Sequence, residues 1–315
     1  MFLLLKYTLL YASVLALVAL GGMFSERSGV INIALEGIMV IGGLMGVVMI
    51  NIMNAAGAPV FLGIILAILV SAVAGMLYSS MLAFSAINLK ADQTIGGTAL
   101  NLLATAIAMV IAKRINGNDS PKINYSSSTN MALNNTHFSF GVGKLTLNWF
   151  IVIAIIAVVI AWFILYRSRF GMRLMACGEH PQAAASVGVN VYKMRWAGVL
   201  MSGLLGGIGG MAYIVPAVGD WNFEMGVAGM GFLALAVMIF GQWKPMRIAA
   251  AAVFFAVFRA MANIFDSIAF LNALHLPKEI YNMMPYVASM IVLAFTSKKS
   301  RAPKAEGIPY DQGSR

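Results

Sequence analysis

Two polar side chains, Asn32 and Glu36, stand in an apolar stretch and could bind a polar solute or carry a proton. They are four residues apart, so on a helix they would share one face. An ionised carboxylate is costly against lipid, so Glu36 should face protein, water or a partner helix. Gly37 follows and permits close packing or local unwinding. Two interpretations remain open: a polar patch beside a solute path, or a structural hydrogen bond to a neighbouring helix.

Asn101 and Thr105 are polar residues inside another run that is otherwise apolar. Polar side chains within membrane helices line solute routes, but they also form hydrogen bonds between helices. The candidate lining of a solute path is Asn32, Glu36, Gly37, Asn101 and Thr105.

The sequence shows no motif for enzymatic chemistry. Cys177 is the only cysteine, and His137, His180 and His275 lie far apart, which gives no metal-ligand spacing. No motif for a serine or cysteine nucleophile occurs, and no Gly-x-x-x-x-Gly-Lys-Ser/Thr phosphate loop occurs. We therefore expect a protein that is not an enzyme, needs no cofactor and cannot hydrolyse ATP by that mechanism.

The composition is that of a membrane protein. Of the 315 residues, 61% are hydrophobic and only 10% are charged, whereas about a quarter of the residues of a soluble domain are charged. So few charges cannot cover a surface that faces water, so contact with lipid must replace them. The net charge of +10 could suggest nucleic acid, but in so apolar a chain it favours basic cytoplasmic loops and no nucleic-acid partner.

Apolar runs near the ~20 residues that a helix needs to cross a membrane recur along the chain. The first run meets Glu26 and Arg27 without a small-residue cleavage site, so we expect a retained helix and not a removed signal. The third run could hide a break and the seventh is short, so the sequence predicts an all-α, polytopic bundle of eight to ten transmembrane helices. The predicted spans are 3–24, 30–53, 58–87, 94–112, 147–166, 195–217, 228–243, 246–265 and 281–297.

The distribution of Lys and Arg predicts the orientation in the membrane. The connection 167–194 and the tail 298–315 are basic, which predicts that both, and with them the C-terminus, are cytoplasmic. The polar stretch 115–146 and the acidic stretch 218–227 are expected outside. A transmembrane domain, 1–297, therefore precedes a cytoplasmic tail. Nine uninterrupted spans would place the N-terminus outside, whereas a break or a re-entrant early segment would place it inside.

The basic connection contains the signal of a short helix. Pro181 suits the first turn of a helix, residues 182–185 are good helix formers, and Val187-Gly188 would end it. A short helix held between two spanning helices could receive a push from a partner and move both spans together. The alternative is an ordinary connecting loop.

Several stretches resemble one family of membrane proteins. Residues 29–37, Gly-Val-Ile-Asn-Ile-Ala-Leu-Glu-Gly, closely resemble the signature of permease subunits of bacterial ABC importers, in the branch for nucleosides and simple sugars. Permeases for ribose and for branched-chain amino acids are related to it. Residues 171–184 resemble the family's coupling loop, with His180 where Asn is expected. Residues 229–236 resemble a Gly-Arg-Gly-Phe-Ile-Ala-Leu-Ala run, with Met230 in place of the basic residue.

The resemblance implies a role for each region and a set of partners. It implies that segment 29–46 lines the translocation pathway and that 171–188 receives the power stroke of an ATPase subunit. It also implies a second permease subunit, which is a different chain, and an extracytoplasmic lipoprotein that binds the solute. The implied coupling residues are Arg173, Gly178, Glu179, His180, Pro181 and Ala184.

The expected function is therefore that of a permease subunit in an ATP-driven importer of nucleosides in the bacterial inner membrane. An importer of simple sugars is the first alternative. A secondary transporter in which Glu36 carries a proton would work without an ATPase, and a passive channel would have no use for a coupling loop.

Overall fold

A computed structural model describes residues 2–116, 120–124, 135–142, 145–217, 220–267, 277–296 and 302–311. Parts of the predicted external loop, 117–119, 125–134 and 143–144, lie outside the described residues, as do the basic residues Lys298, Lys299, Arg301 and Arg315. The described chain is predominantly α-helical, which confirms the predicted all-α bundle.

Eleven described α-helices form the bundle, and seven of them are long and apolar enough to cross a membrane. The predicted spans 228–243 and 281–297 are not among these seven. The helix α9 (Met230–Phe240) has only 11 residues, and α11 (Lys278–Thr296) begins with two charged residues and contains Pro285. The helices are α1 Phe2–Arg27, α2 Leu35–Ala55, α3 Val60–Ala83, α4 Gln93–Asn116, α5 Trp149–Arg167, α6 Arg169–Glu179, α7 Pro181–Ser186, α8 Val191–Ala217, α9 Met230–Phe240, α10 Pro245–Asn263 and α11 Lys278–Thr296.

Short strands and turns lie in the connections between helices. β1 (Lys122–Asn124) pairs antiparallel with β4 (Asp220–Asn222), and Ile123 is opposite Trp221. β2 (Ser139–Val142) pairs antiparallel with β3 (Leu145–Asn148). The β1–β4 pair brings the connection after α4 and the connection after α8 to the same end of the bundle. A π-helical turn, Phe84–Asn88, continues α3, so the long third run is helical without a break from Val60 to Asn88.

Contacts between α1 and α8 fix the direction of both helices. The rings of Tyr11 and Tyr213 lie 6.3 Å apart near the strands, whereas Ser28 meets Gly198 near α6. The two helices are therefore antiparallel. We call the end of the bundle that carries α6 and α7 the connector end, and the end that carries the strands the strand end; α1 begins at the strand end.

Glycines bring α8 into close contact with its neighbours. A Cβ atom at Gly42 of α2 would overlap the backbone of Gly207, and one at Gly75 of α3 would overlap the backbone of Gly203. The glycines of α8 therefore serve helix packing, in which small residues let backbones approach. This packing places α2 and α3 on one side of α8 and holds the start of α2 inside the bundle.

The predicted span 30–53 is wrong at its start, because residues 28–34 are not helical and α2 begins only at Leu35. Gly29 has a φ of +97°, which a glycine adopts at little cost and which ends the helical path of α1. Asn32 and Glu36 therefore do not share a helix face. This early break does not change the position of the start of α1, which lies at the strand end together with Tyr11.

Candidate functional site

Two helices, α2 and α9, begin in the interior of the bundle and run in opposite directions. Leu35 lies against Gly206 of α8, and Gly46 lies against Met211 further along the same helix, so α2 runs towards the strand end. Met230 begins α9 beside Glu36, and Trp243, after α9, lies beside Glu26 at the connector end. Helix starts inside a membrane bundle direct unpaired backbone N–H groups into the interior, and these groups need partners.

An amide side chain fills this need at the start of α2. The Gly37 N–H donates to Asn101 Oδ1 at 2.7 Å, and Asn101 Nδ2 donates to the Ile33 carbonyl at 2.9 Å. Asn32 precedes the helix and is fully buried; its Nδ2 donates to Ser202 Oγ of α8 at 2.8 Å. The non-helical segment 28–34 is therefore held by side chains from two different helices.

A carboxylate fills the same need at the start of α9. The Gly229 N–H donates to Glu36 Oε1 at 2.8 Å, and the Gly231 N–H donates to Glu36 Oε2 at 2.7 Å. Gly229 has a φ of +75°, and a Cβ atom at Gly231 would overlap the backbone of Glu36, so this approach depends on both glycines. A negative charge also interacts favourably with the positive end of the α9 dipole. Met230, between the two glycines, is buried.

All five candidate pathway residues lie around these two helix starts. Thr105 follows Asn101 by one turn of α4, and its hydroxyl donates to the Asn101 carbonyl at 3.3 Å. A Cβ atom placed at Gly226 would lie 3.7 Å from Thr105 Oγ1 and 3.8 Å from Glu36 Oε1. We call the cluster of Asn32, Glu36, Gly37, Asn101, Thr105 and the turn 226–231 the polar joint.

Several residues outside the candidate pathway set also lie around the joint. The Tyr286 hydroxyl donates to the Ala228 carbonyl at 3.2 Å, and Trp221 Nε1 donates to the Gly226 carbonyl at 3.0 Å. The Tyr286 contact joins segments that are 58 residues apart, and no local pattern announces it, whereas Trp221 and Gly226 are only five residues apart. Arg259 gave the clearest signal, because it is the only charge in the interior of the predicted span 246–265, whose other charge, Arg247, lies at its edge.

The second candidate region, at the connector end, consists of two short helices. The prediction of a helix that begins at Pro181 is confirmed: α7 ends at Ser186, and Gly188 has a φ of +84°. The preceding stretch is also helical, as α6, whose N-terminus is capped by Ser168 Oγ accepting from the Gly171 N–H at 3.1 Å. The connection thus contains two helices instead of one.

The six candidate coupling residues divide into an exposed set and a packed set. Arg173 and His180 are exposed. A Cβ atom at Gly178 would overlap the carbonyl of Arg27, and Glu179 lies 3.9 Å from the Arg27 guanidinium. Pro181 begins α7, and Ala184 is buried with Cys177, Val191 and Tyr310. The packed residues connect the α6–α7 pair to the end of α1.

Residues 302–311, here called the C-terminal strap, lie across the same end of the bundle. The Ala305 N–H donates to the Gly178 carbonyl at 2.8 Å, and the Gly307 N–H donates to the Gly29 carbonyl at 3.2 Å. Arg195 Nη1 donates to the Ile308 carbonyl at 2.8 Å. The strap therefore links α6 to the non-helical segment before α2, so the two candidate regions are in physical contact through it.

Two titratable side chains that lie at the connector end and outside the spanning helices have shifted pKa values. Burial raises the pKa of the Glu306 carboxyl, which forms a hydrogen bond with the carboxyl group of Glu26. Glu26 also accepts a hydrogen bond from Trp243 Nε1 at 2.6 Å. Burial raises the pKa of the Cys177 thiol to about 11, so this thiol is a packing group and not a nucleophile at neutral pH. Within the described residues, no group of His, Cys, Asp and Glu could hold a metal ion.

Comparison with known protein families gives a match over most of the chain. Residues 4–294 match the family described as branched-chain amino acid transport system, permease component. The chain belongs to this family. The permease is thus a polytopic membrane protein and a transport subunit, in agreement with the expectation of a protein that is not an enzyme.

The permease is similar to curated proteins over nearly its whole length. It is 38% identical to the nucleoside ABC transporter permease protein NupC of Lactococcus lactis subsp. cremoris, over 96% of this chain and 94% of NupC. It is 37% identical to the guanosine ABC transporter permease protein NupQ of Bacillus subtilis, over 98% of this chain and 96% of NupQ. The guanosine ABC transporter permease protein NupP of Bacillus subtilis is 25% identical, over 73% of this chain and 65% of NupP. As an ABC transporter permease, the chain works with an ATPase subunit and another permease.

Proposed function

We propose that this permease forms half of the translocation pathway of an ATP-driven importer of nucleosides in the inner membrane. The observation that carries this proposal is the similarity, over nearly the whole chain, to two permeases that are named for nucleosides and guanosine. The polar joint is compatible with a neutral solute, because its one carboxylate is already occupied by two backbone N–H groups. A simple-sugar solute would need the same neutral, polar surroundings and remains the alternative.

The pathway residues have two kinds of role in this proposal. Glu36, Gly37 and Asn101 hold the starts of α2 and α9 in place. Asn101 of α4 accepts from Gly37 at the start of α2, and Glu36 of α2 accepts from the start of α9. Asn32 and Thr105 are better suited to meet the solute. Asn32 Oδ1 is a buried acceptor without a hydrogen-bond partner among the described residues, and Thr105 is only half-buried.

The α6–α7 pair is the proposed docking site of the ATPase subunit. The exposed side chains of Arg173 and His180 would touch the ATPase, while Gly178, Glu179, Pro181 and Ala184 transmit its motion to α1 and α8. Basic residues at the connector end, which include Lys193, Lys244 and Arg247, support a cytoplasmic location of this end. The C-terminus would then be cytoplasmic, and the strand end would receive an extracytoplasmic binding lipoprotein.

We further propose that the second permease of the complex is a different chain. The permease is similar to both NupQ and NupP, which occur together in Bacillus subtilis but differ widely in their identity to it. Two unlike permeases would form the pathway between them.

The test is uptake of labelled inosine by proteoliposomes that contain the complete complex with its binding lipoprotein. The proposal predicts uptake that requires ATP and stops when the ATPase subunit carries an inactivating substitution in its phosphate loop. An excess of unlabelled nucleoside should compete, and an excess of ribose should not. Uptake that continues with the inactive ATPase would favour a secondary transporter or a channel, and competition by ribose alone would favour the sugar alternative.

A further inference from the structure

One charged side chain inside the bundle, Arg259, has neither an acidic nor a backbone carbonyl partner among the described residues. Glu36 bonds to the start of α9, Arg27 lies beside Glu179, and Arg195 donates to the C-terminal strap. Arg259 of α10, by contrast, bonds to no described carboxylate or backbone carbonyl; its hydrogen-bond partner in the described part of the chain is the hydroxyl of Tyr213, which its Nη2 meets at 3.3 Å. No described carboxylate pairs with Arg259, and its Nε is buried without a partner.

Burial of Arg259 without an acidic partner costs folding free energy, and a bound ligand that accepts from its guanidinium would offset that cost. A cation inside a membrane bundle is normally paired with an acid or with carbonyl groups, and leaving it unpaired opposes folding. The guanidinium lies 5.8 Å from the ring centroid of Tyr11, a cation–π contact that offsets part of this cost. The planar fork of N–H donors is therefore held by aromatic groups but not neutralised.

Aromatic side chains connect Arg259 to the polar joint. The ring of Tyr213 meets the ring of Trp221 edge to face at 5.3 Å, and Trp221 donates to the Gly226 carbonyl at the joint. Tyr11, Tyr213 and Trp221 all lie at the strand end, which is the side from which the proposed solute arrives. A solute that moves towards the joint would thus pass the half-buried ring of Trp221 and a guanidinium whose Nε has no described partner.

We propose that Arg259, positioned by Tyr213, is a specificity-determining group that recognises the oxo-purine base of nucleosides such as guanosine and inosine. This inference rests on the proposed nucleoside function. The base edge of a 6-oxopurine presents two neighbouring acceptors, O6 and N7, which match two N–H donors of a guanidinium. Adenine presents N7 beside an amino donor, which would oppose the fork. The half-buried ring of Trp221 provides a surface on which a purine can stack.

The first test compares Arg259→Gln with the native permease in the complete complex, with the same binding lipoprotein throughout. The KM for inosine uptake should rise roughly ten- to a hundredfold, the loss of one bidentate base contact, while the KM for adenosine changes less than about threefold. Arg247→Gln is the matched control, because Arg247 lies on the same helix at the connector end and bonds to Gln242. An equal loss for both nucleosides, or no loss for either, would overturn the inference.

A second test uses the native complex and does not depend on the stability of a variant. Guanosine should compete with labelled inosine about tenfold better than 7-deazaguanosine, which lacks the N7 acceptor, and this difference should shrink in Arg259→Lys, which keeps the charge but loses the fork. A difference that is the same in both proteins would come from the binding lipoprotein and would contradict the role of Arg259. A native complex that transports no nucleoside would refute the proposed function itself.

Discussion

The unpaired N–H groups at the two helix starts inside the bundle are satisfied by acceptors of different charge. At α2, the neutral amide of Asn101 accepts from Gly37 and donates to Ile33. At α9, the carboxylate of Glu36 accepts from Gly229 and Gly231. A charged acceptor binds backbone N–H groups more strongly than a neutral one but leaves a larger penalty when its partners are lost. The comparison indicates that α9 is the more tightly held start and that α2 can shift at lower cost.

Removal of the Glu36 side chain should have the largest effect. Glu36→Ala leaves two buried N–H groups without acceptors, and we expect a loss of stability of about 3–5 kcal/mol. Thermal unfolding of the purified complex in detergent measures it. Glu36→Gln, which keeps one acceptor oxygen, should fall between Ala and native. If the alanine variant were as stable as native, α9 would not depend on this cap.

Removal of the Asn101 side chain should cost less. Asn101→Ala breaks two neutral hydrogen bonds, so we expect a loss of about 2 kcal/mol in the same unfolding measurement. Thr98→Ala on the same helix is the control, because the exposed Thr98 hydroxyl bonds only to its own helix at Thr94. A larger loss for Asn101→Ala than for Glu36→Ala would reverse the comparison.

Glu306 differs from Glu36 because its carboxyl group faces another carboxyl group, that of Glu26, and not backbone N–H groups. Burial raises its pKa, so the closed strap binds a proton more readily than a free one. Closure is therefore favoured fully below the ordinary Glu pKa of ~4.3 and weakens as the pH rises through the raised value. As the pH rises through the raised pKa of Glu306, the rate of amide exchange in residues 302–311 should increase by at most about tenfold per pH unit, after correction for the intrinsic pH dependence of exchange.

The matched variant for the strap is Glu306→Gln, which cannot ionise. Its strap should remain closed across the same pH range, as measured by the same amide exchange after correction for the intrinsic rate. Identical pH profiles for the native protein and this variant would show that another group controls the strap.

The smallest effect is expected at Thr105, which completes the joint without capping a helix start. Thr105→Val keeps the shape but removes the hydroxyl, so we expect a stability change below about 1 kcal/mol. If the hydroxyl meets the solute, the KM for nucleoside uptake should rise roughly threefold, the loss of about one neutral hydrogen bond. An unchanged KM would restrict the role of Thr105 to packing.

Local signals in the sequence were sufficient for some elements and misleading for others. Pro181 and Gly188 predicted α7 correctly because proline and glycine act on their own turns. The predicted helix 30–53 begins too early in the sequence, because residues 30–35 are almost as apolar as the residues of a spanning helix. The break before α2 depends on Gly29 and on side chains of α4 and α8. The sequence identified Glu36 as a residue that needs a protein partner but could not name that partner, since α9 lies far away along the chain.

The strap and α6 show the same limit at the connector end. Gly171 and Gly178 lower the intrinsic helix propensity of the segment, and the burial of Leu174 and Cys177 against neighbouring helices decides its structure. The strap contains no periodic signal, and its contacts with Gly178 and Gly29 are entirely non-local. The tail was therefore predicted as a separate basic segment, whereas residues 302–311 pack on the bundle.

The most direct measurement is the initial rate of ATP-driven inosine uptake by proteoliposomes under imposed pH gradients of opposite sign. If Glu36 is a cap that stays bonded to the start of α9, no proton accompanies the solute, and the two rates should be equal within error. A rate that rises with one gradient and falls with the other would show that a proton moves with the nucleoside and would contradict the account.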